Sequence, residues 1–299
     1  MSEIWHEGWP AGWDEKRVHA LQDRFFDELE AVLRERSPDA HRGRVVLLSG
    51  GSDSLVLLTL VRHLWPADRV AALTMRGGDT VDFLSARAVA ERFCVTQTVV
   101  DITGESILEN LDMVRGRGYI RFPQLMFHIC FELCLSQADV SGCLLYEGNG
   151  ADVLLGSVGE RVYRHAQKVA QAEGITLDEA RTRAKVDHYH DRKSDRRGTH
   201  SATIFSDIAR GLDAAPVTPF GDARLEWVTE VPYSVLSPLD KRFVKDGLRR
   251  RYGLDDIVER PRIPLQAGMG LDAEVADRLV ERFGDLGETP DEITRALTA

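Results

Sequence analysis

The sequence predicts an α/β protein built on a parallel sheet, followed by a mainly helical C-terminal part. Short apolar runs alternate with helical patterns between residues 44 and 146. A glycine-rich turn follows the first apolar run directly. Residues 161–299 instead carry helical patterns broken by Pro-containing loops. Strand–helix alternation implies right-handed crossovers and a parallel sheet covered on both faces.

The elements follow in order. Leu21, Phe25, Leu29, Val32 and Leu33 recur at helical spacing, so residues 15–36 read as an amphipathic helix that ends at Ser37-Pro38. Residues 1–12, with Trp5 and Trp9 among Gly and Pro, read as an irregular arm. Strands are predicted over 44–48, 69–75, 97–102 and 143–146, and helices over 55–64, 83–93 and 124–135. Further helical patterns cover 161–172, 177–186, 201–211, 241–251 and 273–283. The chain divides on this reading into an arm and helix (1–40), an α/β domain (41–160) and a helical part (161–299). Arg181–His200 is poor in apolar residues and net positive, and reads as a mobile, solvated loop. A lid whose Arg192, Lys193, Arg196 and Arg197 meet an anion is weighed there, and a His188/His190 metal site is disfavoured for want of a third ligand.

Composition narrows the function classes. The 299 residues are 43% hydrophobic, enough for a full core. A net charge of −10 makes a poor general binder of polyanions, so nucleic acid is disfavoured as a partner. Cys94, Cys130, Cys134 and Cys143 form no CxxC pair and read as buried thiols of a reducing compartment. No basic, apolar leader opens the sequence and no uncharged run is long enough to span a membrane, so the expected location is the cytoplasm.

The chemistry concentrates in Ser49-Gly50-Gly51-Ser52-Asp53-Ser54, which joins a strand to a helix. Two glycines let the backbone turn sharply and aim N–H groups at an anion, and the helix that follows adds the positive end of its dipole. Ser49, Ser52 and Ser54 offer hydroxyl donors. Asp53 would repel a phosphate, and is more sensibly a magnesium ligand. No Lys follows the glycines and no G-x-G-x-x-G is formed, which sets aside Walker and dinucleotide loops.

The six residues resemble the SGGxDS signature of the PP-loop ATP pyrophosphatases. That resemblance implies a 3-2-1-4 strand order and ATP cleavage between the α and β phosphates, with an acid or amide oxygen adenylated and AMP then displaced. A second turn, Glu147-Gly148-Asn149-Gly150-Ala151-Asp152, follows the fourth strand. In the 3-2-1-4 order both turns would face the switch-point crevice, with Asp53 and Asp152 as magnesium ligands. The pair resembles the synthetase domain of asparagine synthetase and the β-lactam and carbapenam synthetases. Pro219-Phe220-Gly221-Asp222, Lys245-Asp246-Gly247-Leu248-Arg249 and Glu259-Arg260-Pro261-Arg262-Ile263-Pro264 resemble later elements of that branch, over roughly residues 40–270.

The resemblance implies an AMP-forming, C–N bond-forming ligase that uses ATP and Mg2+ on a small carboxylic acid and an amine or ammonia. Lys245 and Arg262 would meet the pyrophosphate. Backbone groups near Leu47 and Leu73–Met75 would read adenine, and Gly148 would line the site. There are departures. The family's glutaminase domain has no counterpart in these residues, so ammonia from a separate glutaminase is one expectation; a homodimer is also compatible. Asn149 and Arg262 replace residues tied to proton transfer, leaving Glu147 as the candidate base. Two alternatives are an RNA-modifying PP-loop enzyme and a degenerate, nucleotide-binding partner subunit.

Overall fold

The computed structural model describes residues 9–39, 41–110, 122–157, 163, 165–194, 201–237 and 241–255. The expected pattern at 273–283 and the segment holding Arg262 lie outside these residues. Along the chain run α1 (Glu15–Arg36), β1 (Gly43–Leu47), α2 (Ser52–Leu64), β2 (Val70–Arg76), α3 (Val81–Arg92) and β3 (Thr96–Asp101). Next come α4 (Gly104–Glu109), α5 (Phe122–Gln137), β4 (Cys143–Tyr146) and α6 (Ala151–Leu154). The later elements are α7 (Ala166–Glu173), α8 (Leu177–Ser194), α9 (Ser201–Gly211), β5 (Ala215–Val217), α10 (Tyr233–Leu236) and α11 (Arg242–Tyr252). Two compact units form from separated stretches. Among the described residues, a sheet unit takes the stretches within 39–147 and 201–217, and a helical unit those within 9–38, 148–194 and 218–255.

The sheet unit holds five parallel strands in the order β3-β2-β1-β4-β5. The predicted 3-2-1-4 core is thus present, with one further strand. β5 was not foreseen: three residues with a central Pro216 fall below any strand pattern, but Pro is tolerated on an edge, and among the described residues β5 pairs only with β4. β4 (Cys-Leu-Leu-Tyr) is buried along its whole length, as a strand flanked on both sides and covered on both faces must be. One face packs Leu47, Leu73, Val100 and Leu145 against Ile129, Leu133 and Phe205, with the Phe131 and Phe205 rings 5.6 Å apart. Arg44 is the exception inside the sheet. Its side chain is fully buried, paired with Asp39 at 2.9 Å and stacked over the Trp65 ring at 4.3 Å.

The helical unit is organised by α1 and α11. Phe25 and Phe26 on α1 meet Phe243 and Tyr252 edge-on, at centroid distances of 6.0 and 5.7 Å. The helices touch closely because position 247 has no side chain: a Cβ there would overlap Phe26 Cε2 and lie 3.3 Å from Cζ. Gln22 Nε2 donates to the Phe243 carbonyl, and Arg250 and Arg251 reach Asp23 and Glu30.

Two expectations are corrected. Arg181–Ser194 is no mobile loop; it continues α8, because Lys185 and Tyr189 bury on one side of the helix. The Lys185 stem lies against Gly156, and its Nζ donates to the Val231 carbonyl at 2.5 Å. Cys94 is exposed, at a left-handed turn with φ +52°, whereas Cys130, Cys134 and Cys143 are buried; all four are free thiols. Burial pushes the Cys134 thiol up to about 12, with neighbouring Cys130 adding to the rise.

Two outcomes follow for stability. Gly247→Ala should lower unfolding free energy by about 1–3 kcal/mol through overpacking on Phe26, read by urea denaturation. Burial lowers the Lys185 pKa from 10.5 to about 7, against a smaller opposing pull from Asp178. The unfolded chain therefore binds the extra proton above pH 7, and stability rises with pH through that window. A gain of about 1.5 kcal/mol is expected between pH 7 and 8.5, and Lys185→Met should abolish it, as measured by denaturation at both pH values.

Candidate nucleotide site

The six-residue loop leaves β1 at the carboxyl end of the sheet and enters α2. β1 lies between β2 and β4, so the chain turns away from it on both sides. This is the topological switch point, where the crevice outside the strand ends admits ligands. Gly50 adopts φ +81° there. A Cβ at Gly50 would collide with the Asp82 carbonyl oxygen and lie 2.9 Å from Ser85 Cβ and 3.0 Å from Ala86 N. The loop is thus seated on the first turns of α3, and only glycine supplies both the torsion and the clearance.

The serines divide their roles. Ser54 is buried; its hydroxyl donates to the Gly51 carbonyl at 2.9 Å and accepts from the Ser49 amide at 3.2 Å. Ser49 Oγ lies 3.2 Å from Ser54 Oγ and accepts from the Gly51 amide at 3.4 Å. These contacts hold the loop's shape. Gly51 occupies the N-cap position, where it has no side chain to satisfy the first amides of α2. Those amides, with half-buried Ser52 and Asp53 beside them, form a cradle suited to an anion. α2 itself is anchored by a continuous buried run from Ser54 to Val61.

Neighbouring strands contribute to the same end of the sheet. The Leu48 amide donates to the Leu73 carbonyl, and Thr74 Oγ1 donates to the Leu48 carbonyl, both at 2.9 Å. Leu73 is buried and pairs with Leu47, whereas Met75 and Arg76 run past the end of that pairing and are registered with β3 alone. Arg76 grips Asp101 with two hydrogen bonds, and its guanidinium holds the Asp101 carboxyl below the usual range. Asp82, in the first turn of α3, is raised by burial. Glu147 continues β4, buried, with its amide donating to the Val217 carbonyl at 3.1 Å.

The other expected residues belong to the helical unit. Gly148, Asn149 and Gly150 form the second turn. Gly150 takes φ +90° and lies against Phe220 and Gly221, where a Cβ would sit 3.7 Å from their atoms. Asp152 lies in the first turn of α6, with its Oδ1 2.7 Å from Lys241 Nζ. Lys245 is half-buried on α11. Asp222, in the expected Pro-Phe-Gly-Asp turn, caps the 3-10 stretch Ala223–Glu230. Arg224 and Arg36 flank it at 2.9 and 2.6 Å, and hold its carboxyl far below the usual range. That makes Asp222 an architectural anchor. Lys241 escaped the sequence reading, because its partner Asp152 lies far away in the sequence. Among the expected groups, Arg196 and Arg197 lie outside the described residues.

A cavity of about 300 Å3 opens at the opposite, amino-terminal end of the strands. Gly43, Val70, Thr96 and Cys143 mark its floor, with Arg42 and Asp139 at the rim. It lies away from the glycine loop, because parallel strands separate the two ends.

No family model and no curated protein matches the chain. Among solved structures, an NH3-dependent NAD synthetase from Campylobacter jejuni aligns over 67% of this chain and 93% of its own, at 15% identity and a TM-score of 0.35. A glutamine-dependent NAD+ synthetase from Acinetobacter baumannii, in complex with ADP, aligns over 98% of this chain and 47% of its own, at 18% identity and a TM-score of 0.35. Among the described residues, no helix is long and apolar enough to cross a membrane.

On the reading proposed below, Gly50→Ala should weaken ATP binding at least tenfold in a fluorescent-nucleotide titration. Gly174→Ala is the control: Gly174 also has positive φ, at +67°, but open space around it, and binding should be unchanged.

Proposed function

We propose that the chain is an ATP-dependent, AMP-forming ligase that joins a small carboxylic acid to an amine or ammonia. The observation that carries this is the Ser49–Ser54 loop, seated at the switch point with a glycine-enforced turn and the uncapped amides of α2 beside it.

In this reading the loop amides and Ser52 bind the triphosphate, while Ser49 and Ser54 keep the loop in shape. Strand-end backbone at Leu73 and Met75 faces the adenine. Asp53 fits a magnesium ion, lying half-buried in the first turn of α2 with a hard oxygen donor. Among the described residues no three His, Cys, Asp or Glu side chains gather into a metal site. One carboxylate together with phosphate oxygens is a usual arrangement for magnesium. Bound there, the ion would neutralise charge on the triphosphate.

The acid's carboxylate oxygen attacks the α-phosphorus, and the bond to the β-phosphate oxygen breaks to release pyrophosphate. The amine nitrogen then attacks the acyl carbon, AMP leaves with the transferred oxygen, and the amine loses a proton. Glu147 is the proposed acceptor of that proton, supported by its buried place at the end of β4. Lys245 and Arg262 are proposed to meet the departing pyrophosphate, and Gly148 to line the site through its backbone. An amine co-substrate or ammonia from a separate glutaminase would supply the nitrogen.

The test is product analysis with ATP, magnesium and a panel of small acids, each with ammonia or an amine. AMP and pyrophosphate are expected in equal amounts, and Asp53→Asn should cut the rate at least tenfold. ADP and phosphate as products would overturn the proposal.

A further inference from the structure

Asp152 and Lys241 form an ion pair that is closed on one side: the Asp152 side chain is 44% exposed, whereas the lysine is buried. Lys241 is only 4% exposed, and its Nζ lies 2.7 Å from Asp152 Oδ1, an atom that is itself buried. The lysine backbone is held at φ +52°, a left-handed conformation unusual for a side chain of this size, at the N-cap of α11. Asp152 sits in the first turn of α6, directly after Gly150, whose own φ is +90°. Two positive-φ residues therefore fix the two halves of one charge contact. A strained conformation of this kind persists only where its surroundings over-determine it, and a buried ammonium is stable only when paired.

We propose that the ammonium of Lys241, and not a magnesium ion, is the resident counter-charge of Asp152, making Lys241 a positioning residue of the second glycine turn. The resemblance makes Asp152 a metal ligand, and part of its side chain is open to solvent. Here one carboxylate oxygen is enclosed against a cation that the chain supplies itself. With Asp152 neutralised, the turn Gly148–Ala151 keeps its shape whether or not a metal–nucleotide complex is present. Metal binding with nucleotide then falls to Asp53. The inference leans on the proposed function only for that last assignment; the pair itself stands apart from it.

The experiment uses the full chain as wild type, Lys241→Met, Lys241→Arg, Asp152→Asn and the Met/Asn double variant. Each is assayed for thermal unfolding, and for Mn2+ binding by electron paramagnetic resonance with and without ATP. Asp152→Asn is expected to bind Mn2+ in the presence of ATP within twofold of wild type. Lys241→Met should gain one further Mn2+ site, which the double variant loses. Unfolding midpoints should fall in both single variants and recover in the double, with Lys241→Arg close to wild type. A tenfold loss of ATP-linked Mn2+ binding in Asp152→Asn would overturn the proposal, as would additive midpoint losses in the double variant. Absence of ATP-linked Mn2+ binding in wild type would count against the proposed function alone, while the midpoint cycle would still decide the ion pair.

Discussion

At Gly50 the chain leaves the central strand with a positive φ and comes down onto the backbone of α3, where no Cβ can fit. That contact fixes the direction in which the next residues run. It places Gly51 at the start of α2, so that the first helix amides emerge without a side-chain cap. It also lets Ser54 reach back to the Gly51 carbonyl and Ser49 amide, closing the turn on itself. The loop is therefore rigid before any ligand arrives, and its donors do not need to be reorganised. An anion site built from fixed backbone dipoles draws its strength from that preorganisation.

The sheet supplies the frame for this turn. β1 is central because its neighbours were added on opposite sides, β2 through α2 and β4 later in the chain. Only at such a position do the outgoing connections diverge and leave a crevice. Burial then holds the frame: β4 is apolar throughout, and α2 is buried from Ser54 to Val61. The helical unit has an independent logic, in which Gly247 lets α1 and α11 approach and Asp222 ties a 3-10 stretch to α1.

Much of this was legible in the residues. The strands of the 3-2-1-4 core and the helices after them are marked by continuous apolar runs and punctuating glycines, and the turn at Ser49–Ser54 is marked by its full six-residue spacing. The misses have physical causes. β5 is too short and carries Pro216, so no period reveals it. The basic stretch after Arg181 looked solvated because its charge conceals a buried lysine stem and an aromatic anchor, Tyr189. The contact between Asp152 and Lys241 was not foreseen because the two residues are distant in sequence. Long-range charge pairing leaves no local pattern, whereas a turn that needs glycine does.

The central claim, that the Ser49–Ser54 loop grips the triphosphate of ATP, is tested most directly by hydrogen–deuterium exchange with and without ATP and magnesium. Slower exchange is predicted at the amides of residues 50–55, and not in the Gly50→Ala variant. Unchanged exchange at those amides, with protection instead around the cavity at the amino-terminal strand ends near Arg42 and Asp139, would contradict it.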